Sequence, residues 1–248
     1  VAASPVFGGK LASVDASKAT AIPGVQQVVR LDGAVAVIAG NTWAATQGLA
    51  ALDIRWAEGA NAKLSTADVV RQLATASEKS GAVARADGDV SEAMAGASHR
   101  LDAIYQLPFL AHATMEPINC TVHVRADSCE IWVGTQVPTF TQNAAAKVTG
   151  LAKDKIQVHN HLLGGGFGRR LEVDFIDQAV RIAKQVAGPV KITWSREEDI
   201  QHDMYRPYYY HRIAAGLNDR GMPIAWTHRV TGSSILGRVV DQLFPKNL

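Results

Sequence analysis

Gly164-Gly165-Gly166-Phe167-Gly168-Arg169-Arg170 places four glycines, one aromatic ring and two guanidinium groups in consecutive positions. Glycine has no Cβ and takes positive φ freely, so such a backbone turns sharply and can lie within hydrogen-bonding distance of a ligand. The loop stands between Lys155 to His161, which reads as a strand, and Glu172 to Val186, which reads as an amphipathic helix. A helix starting just beyond it adds free N–H groups and the positive end of a dipole, both favourable to phosphate. The chemistry suggested is the holding of a large, flat or anionic cofactor.

Two nucleotide fingerprints fail letter by letter. Gly-x-Gly-x-x-Gly would need a glycine at Arg169, counting from Gly164, or at Leu171, counting from Gly166. A phosphate loop ending Gly-Lys-Ser or Gly-Lys-Thr is excluded because Arg169-Arg170-Leu171 follows Gly168. The plain alternative, a strand-to-helix turn without a ligand, normally needs only about one or two glycines.

Other candidates read more plainly. Ser195 has no nucleophile-elbow setting, and Arg196, Glu197, Glu198 and Asp199 read as a solvated helix face. In Tyr208-Tyr209-Tyr210-His211, alternate members are expected to pack inward from a strand. Cys120 and Cys129 match no metal spacing and read as unpaired packing residues.

The elements that must position the loop follow from pattern. Val25 to Leu31 and Ala34 to Ile38 are valine-rich strands joined at Asp32-Gly33, a hairpin signal. Asn41 caps a helix over Thr42 to Leu52, and Ile54 to Trp56 is a further strand. From Glu58 to Val90 the composition turns polar and reads as a linker, with one helix from Thr66 to about Glu78 behind a Ser65/Asp68 cap. Strands return over Ser98 to Gln106, Cys120 to Arg125 and Cys129 to Gly134, the last two forming a hairpin. Pro138 opens a helix to about Lys147. Val173, Ile176, Val180 and Ala183 form an apolar stripe after the loop. Val190 to Trp194 is a strand, Ser195 to Glu198 a capping box, and Tyr210 to Leu217 and Pro223 to Val230 flank a turn at Asn218 to Gly221.

The chain has 248 residues, 47% hydrophobic and 19% charged, enough to bury a core. A net charge of +2, from 25 basic and 23 acidic residues, gives no field for recruiting nucleic acid, so no nucleic-acid partner is expected. No apolar run approaches the roughly 20 residues of a membrane span. The start, Val1-Ala2-Ala3-Ser4-Pro5-Val6-Phe7, reads as the middle of an extended segment, so a fragment or processed product is expected.

Three segments together carry a resemblance. Phe109-Leu110-Ala111-His112-Ala113-Thr114-Met115-Glu116-Pro117, Trp132-Val133-Gly134-Thr135-Gln136-Val137-Pro138 and the glycine loop resemble, in order and spacing, the molybdopterin-binding subunit of the xanthine oxidase family. The branch most similar is that of isoquinoline 1-oxidoreductase beta subunits and membrane-associated aldehyde dehydrogenases, favoured by Arg169-Arg170, Tyr205-Arg206-Pro207 and Ala225-Trp226-Thr227-His228. The resemblance implies an α/β (α+β) fold. Residues 1–58 would be part of a hammerhead α/β domain, 59–97 a linker with one helix, and 98–248 an incomplete first molybdopterin-binding domain of mixed sheet and helices.

It also implies oxidation of an aldehyde or hydroxylation of an N-heterocycle with water as the oxygen source. The cofactor would be a molybdenum-pterin in its cytosine dinucleotide form. Iron-sulfur clusters would sit on a partner small subunit, with a cytochrome c as electron acceptor and a periplasmic or membrane-associated location. Gln136 would face an oxygen of the metal centre as a neutral donor. Phe167 and Gly168 would lie beside the metal centre, Gly164, Gly165 and Gly166 would allow close approach, and Arg169 and Arg170 would meet phosphate or the polar rim. The base glutamate of the family falls outside this chain, so no catalytic residue is assigned. Leu171 stands where many members have an acid, which weakens a substrate-side role for Glu172. The resemblance puts His112 and Glu116 near the site; His112 is either a site residue or, more plainly, a satisfied structural one, and Glu116 a group that holds its loop. Two other readings stay open: a cofactor-binding or assembly module without turnover, and an unrelated nucleotide-binding domain.

Overall fold

The computed structural model describes residues 1–235. In chain order its early elements are β1 (Ala2–Ala3), β2 (Lys10–Asp15), α1 (Ser17–Thr20), β3 (Val25–Arg30), β4 (Ala34–Ala39), α2 (Thr42–Ala50) and β5 (Asp53–Ala57). The middle holds α3 (Thr66–Ala76), α4 (Val90–Ala95), β6 (His99–Leu107), β7 (Asn119–Val124), β8 (Cys129–Val133), α5 (Pro138–Thr149) and β9 (Ile156–Asn160). Beyond the glycine loop come α6 (Asp174–Ala183), β10 (Val190–Thr193), α7 (Arg196–Gln201), β11 (Tyr209–Leu217) and β12 (Pro223–Gly232). This mixture of sheets and helices is the α+β architecture expected.

The chain forms two compact units that interleave in sequence. One is Val1–Lys63 with Ala111–Met204; the other is Leu64–Leu110 with the described residues from Tyr205 to Ile235. In the first, a sheet of order β10-β7-β8-β9 is antiparallel except for the parallel pair β8 and β9. Parallel neighbours need a crossover, which α5 provides. Alternation along the strands turns Cys120, Val122, Ile131 and Val133 into a core closed by Ile176, Val180 and Ala183 of α6. Val173, expected on the same stripe, is only partly buried against that core. The same cluster includes Val29, Ala36 and Ile38 from the β3–β4 hairpin.

Helix ends follow their local chemistry. Asn41 accepts from the Ala44 N–H at 2.9 Å, and Ser65 and Asp68 form a reciprocal capping box. α5 starts at Pro138 and stops at Gly150, whose φ of 78° is left-handed. The polar stretch before β6 holds a second helix, α4, capped by Asp89; six residues are too few for a periodic signal. The short α1, β1 and β2 escape pattern reading for the same reason.

In the second unit β11 lies between β12 and β6, all antiparallel. Tyr208 and Tyr210 are buried while Tyr209 is half-exposed, the alternation expected of this run. Residues 236–248, and with them the end of the expected cofactor-binding domain, lie outside the described residues. Among the described residues no helix is long and apolar enough to cross a membrane.

Both cysteines are free and buried. Burial pushes the Cys129 thiol up to about 11 and raises that of Cys120 as well. Neither is expected to react with a disulfide reagent at neutral pH until the chain unfolds, because the thiolate is the nucleophile. Rapid labelling of the native protein, read by absorbance, would contradict this.

Candidate functional site

β8 and β9 run parallel and side by side, and both of the segments of interest leave from their carboxyl ends. β8 continues into Gly134-Thr135-Gln136, and β9 into the glycine loop. In sheets with parallel strands this end is where ligands bind. Asn160 accepts from the Thr135 N–H at 3.0 Å and the His161 N–H donates to the Val133 carbonyl, so the two exits are tied together.

The glycines are required by what surrounds them. A Cβ on Gly164 would stand 2.4 Å from Glu116 Cβ, and one on Gly166 would stand 2.7 Å from Gln136 Oε1. Gly165 and Gly168 both have φ of 106°, which side chains rarely adopt. Glu116 clamps the loop in two directions. Its N–H donates to the Gly164 carbonyl at 3.0 Å, and its carboxylate accepts from the Gly164 N–H at 2.9 Å. Partial burial works against this charge, but donors from Asn119 and Gly164 and the Arg170 charge hold its carboxyl below the usual range. The loop-holding reading of Glu116 is the one the structure shows.

Phe167 is forced to φ of 52° between its glycines, and its ring is 69% exposed. A non-glycine residue in this region costs about 1–3 kcal/mol and is tolerated where the surroundings over-determine it. Among the described residues the N–H groups of Gly165, Gly166 and Phe167 have no acceptor. Facing them, Gln136 accepts from the Gly168 N–H through Oε1 at 3.3 Å. That contact fixes the amide flip and leaves Nε2 as a donor for something else. Three consecutive free N–H groups and a neutral amide donor fit an anionic, oxygen-rich group.

The two arginines depart from the expectation. Arg170 is fully buried and donates to the carbonyls of Gly165, Gly134 and Glu116 at 3.0 Å each, and to the Glu116 carboxylate at 2.8 Å. Arg169 makes a bidentate pair with Asp174 at 2.8 and 2.9 Å and lies 3.0 Å from Asp203. Both guanidinium groups are turned into the protein rather than toward a phosphate. A buried cation needs a carboxylate; Arg170 has one and Arg169 two.

Asp203 and Asp174 are the residues sequence reading missed. Asp203 accepts from the His112 backbone N–H and lies 3.0 Å from His112 Nδ1. Asp174, at the start of α6, has a local signal, standing one short turn beyond Arg169. Asp203 is 91 positions from His112 and has none. His112 therefore has a structural partner, as the plainer reading required.

α7 also differs from the solvated face expected. Asp199 is buried, accepting from Arg196 at 2.8 Å and from the Ile118 N–H at 3.4 Å, while Glu198 accepts from the Ala3 N–H. Burial raises the Asp199 carboxyl despite these partners. Ser195 caps the Glu198 N–H, but the Glu198 carboxylate turns to His202 at 3.0 Å. That contact outweighs burial and raises the His202 pKa. A raised folded value means the stabilisation is complete below the unfolded pKa of about 6.5 and is lost as pH rises through the folded value. His202→Gln is expected to lower stability more at about pH 6 than at about pH 9. Equal losses in urea titrations at the two pH values would contradict it.

The parallel strand ends thus bring an N–H-lined glycine turn and an amide donor together, an arrangement suited to an anionic ligand. Residues 75–234 match the family of the molybdopterin cofactor-binding domain, and the chain belongs to that family. More particularly, it is part of a molybdenum-binding subunit of the xanthine oxidase family. It is 33% identical to the isoquinoline 1-oxidoreductase subunit beta of Brevundimonas diminuta, over 98% of this chain and 33% of that protein. It is 30% identical to a membrane-bound aldehyde dehydrogenase (pyrroloquinoline-quinone) of Gluconacetobacter polyoxogenes, over 84% of this chain and 28% of the other. The fold is that of quinoline 2-oxidoreductase from Pseudomonas putida 86, with a TM-score of 0.65 at 14% identity, over 90% of this chain and 34% of that structure. The chain spans about a third of the length of these curated relatives. This membership removes the reading as an unrelated nucleotide-binding domain.

Proposed function

We propose that the complete protein is a molybdenum hydroxylase that oxidises an aldehyde or hydroxylates an N-heterocycle with water as the oxygen source. The reading rests on one observation above all: the free N–H groups of Gly165, Gly166 and Phe167 open beside the Gln136 amide at the ends of β8 and β9. The molybdenum-pterin group, when bound, supplies a two-electron acceptor and a Lewis-acidic centre. This chain's contribution is placement. The N–H row and Gln136 Nε2 donate to oxygens without offering a competing anionic ligand. Glu116 and Arg170 hold the loop from behind, and the Phe167 side chain stands exposed on it.

The finer expectations belong to the same proposal. The cofactor is the cytosine dinucleotide form, and residues 1–58 are the hammerhead part. Residues 59–97 link it to the first cofactor-binding domain, 98–248. Electrons leave through an iron-sulfur small subunit and then a cytochrome c, at the periplasmic or membrane-associated side. The clusters are placed outside these residues because each takes about four cysteine thiolates and the 248 residues hold two cysteines, both buried. The 248-residue chain alone is expected to be inactive toward aldehydes and N-heterocycles. Molybdenum analysis and pterin fluorescence of the full-length complex test the proposal, and active enzyme free of both would end it.

A further inference from the structure

Among the described residues only Ala113 and Phe167 combine a side chain with positive φ, at 43° and 52°. Ala113 follows His112 and Phe167 precedes Gly168, and these neighbours face each other. A Cβ on Gly168 would stand 3.5 Å from His112 Nε2. Strain of this kind persists where an arrangement is over-determined, and it clusters at ligand sites.

The imidazole is aimed and only partly buried. Asp203 lies 3.0 and 3.1 Å from Nδ1 through its two carboxylate oxygens and also accepts the His112 backbone N–H. A carboxylate only accepts, so Nδ1 carries a proton, and Nε2 presents a lone pair whenever the ring is in its neutral form. Asp203 is itself fixed by Arg169, which Asp174 holds at the start of α6. Among the described residues Nε2 has no hydrogen-bond partner. A histidine that merely braced Asp203 would need neither its second nitrogen directed at the loop nor strained turns on both sides.

We propose that His112 is a further cofactor-contacting residue: its Nε2 accepts a hydrogen bond from an N–H donor of the pterin group seated against Gly165 to Gly168, and Asp203 with Arg169 positions the ring. The proposal rests on the functional reading above and extends it to the opposite wall of the loop. It gives the loop an acceptor to match its donors, as a pterin, which carries both, would require.

The test uses the full-length complex. Asparagine places an amide N–H near the position of Nδ1, so His112→Asn keeps the Asp203 contact and removes Nε2. Retained pterin and molybdenum per protein are expected to fall about tenfold under dilution, the cost of about one hydrogen bond, with the unfolding midpoint unchanged. A second measurement needs no variant. Diethyl pyrocarbonate acylates accessible imidazole nitrogens, so His112 of the wild type is expected to be labelled after the cofactor is stripped and protected while it is bound, as read by peptide mass spectrometry. Equal retention in His112→Asn, or equal labelling with and without cofactor, would overturn the assignment while leaving the functional reading intact. Wild-type complex that carries no pterin would overturn both.

Discussion

Arg170→Leu is expected to destabilise the first unit by about 3–5 kcal/mol, the cost of breaking a buried ion pair from one side. The side chain is 0% exposed, and its donors reach three carbonyls and one carboxylate. Leucine fills much of the volume but leaves those acceptors without donors in a region closed to water, at about 1–3 kcal/mol for each buried group left unsatisfied. The total should fall at the lower end because the Glu116 side chain is 37% exposed and can regain water. Lysine should rescue little, since one ammonium cannot reproduce the planar fork that spans Gly165, Gly134 and Glu116. Urea denaturation measures the loss, and a value under about 1 kcal/mol would show that the buried fork is not what holds the loop.

Gly166→Ala should do the opposite, sparing the fold and removing the function. Its Cβ would stand 2.7 Å from Gln136 Oε1 and 3.0 Å from Cδ, so the exposed, flexible glutamine has to swing away. The stability cost is expected below about 1 kcal/mol because no core is overpacked. The contact that orients the amide is lost, however, and a misplacement of about 1 Å near reacting groups costs about 100-fold in rate. Turnover of the full-length complex should fall by that order with the melting temperature nearly constant. Gly164→Ala makes the contrasting control. There the clash is with Glu116 Cβ at 2.4 Å, a residue held by Gly164 and Arg170, so about 1–3 kcal/mol of stability should go as well. If Gly166→Ala keeps full activity, Gln136 is not a cofactor contact.

Much of this was readable in the chain because it is local chemistry. The Asp32-Gly33 hairpin, the Asn41 and Ser65 caps, Pro138 at the start of α5 and the glycine turn are each decided within a few residues. Gln136 was joined to the loop only by the family resemblance; its structural basis is their shared place after neighbouring parallel strands, a pairing no local pattern shows. The arginines were misjudged for a physical reason. A guanidinium next to a glycine turn serves a phosphate or a buried carboxylate equally well, and the choice depends on Glu116, Asp174 and Asp203, of which two are distant in sequence. Asp199 and Glu198 look like surface charges until the N-terminal strand and Arg196 come to lie against them. His112 needed Asp203 to show which nitrogen faces the loop.

The shared core of residues 29–38 with residues 118–194 carries a consequence for how the protein is made. The first hairpin leaves the ribosome well before the strands that bury its Val29, Ala36 and Ile38 side chains, and the whole of 64–110 must be synthesised in between. During that interval an apolar hairpin waits without its partner, a state that favours aggregation or chaperone capture. Slow synthesis through 64–110 should therefore lower the yield of soluble protein more than slow synthesis after residue 204.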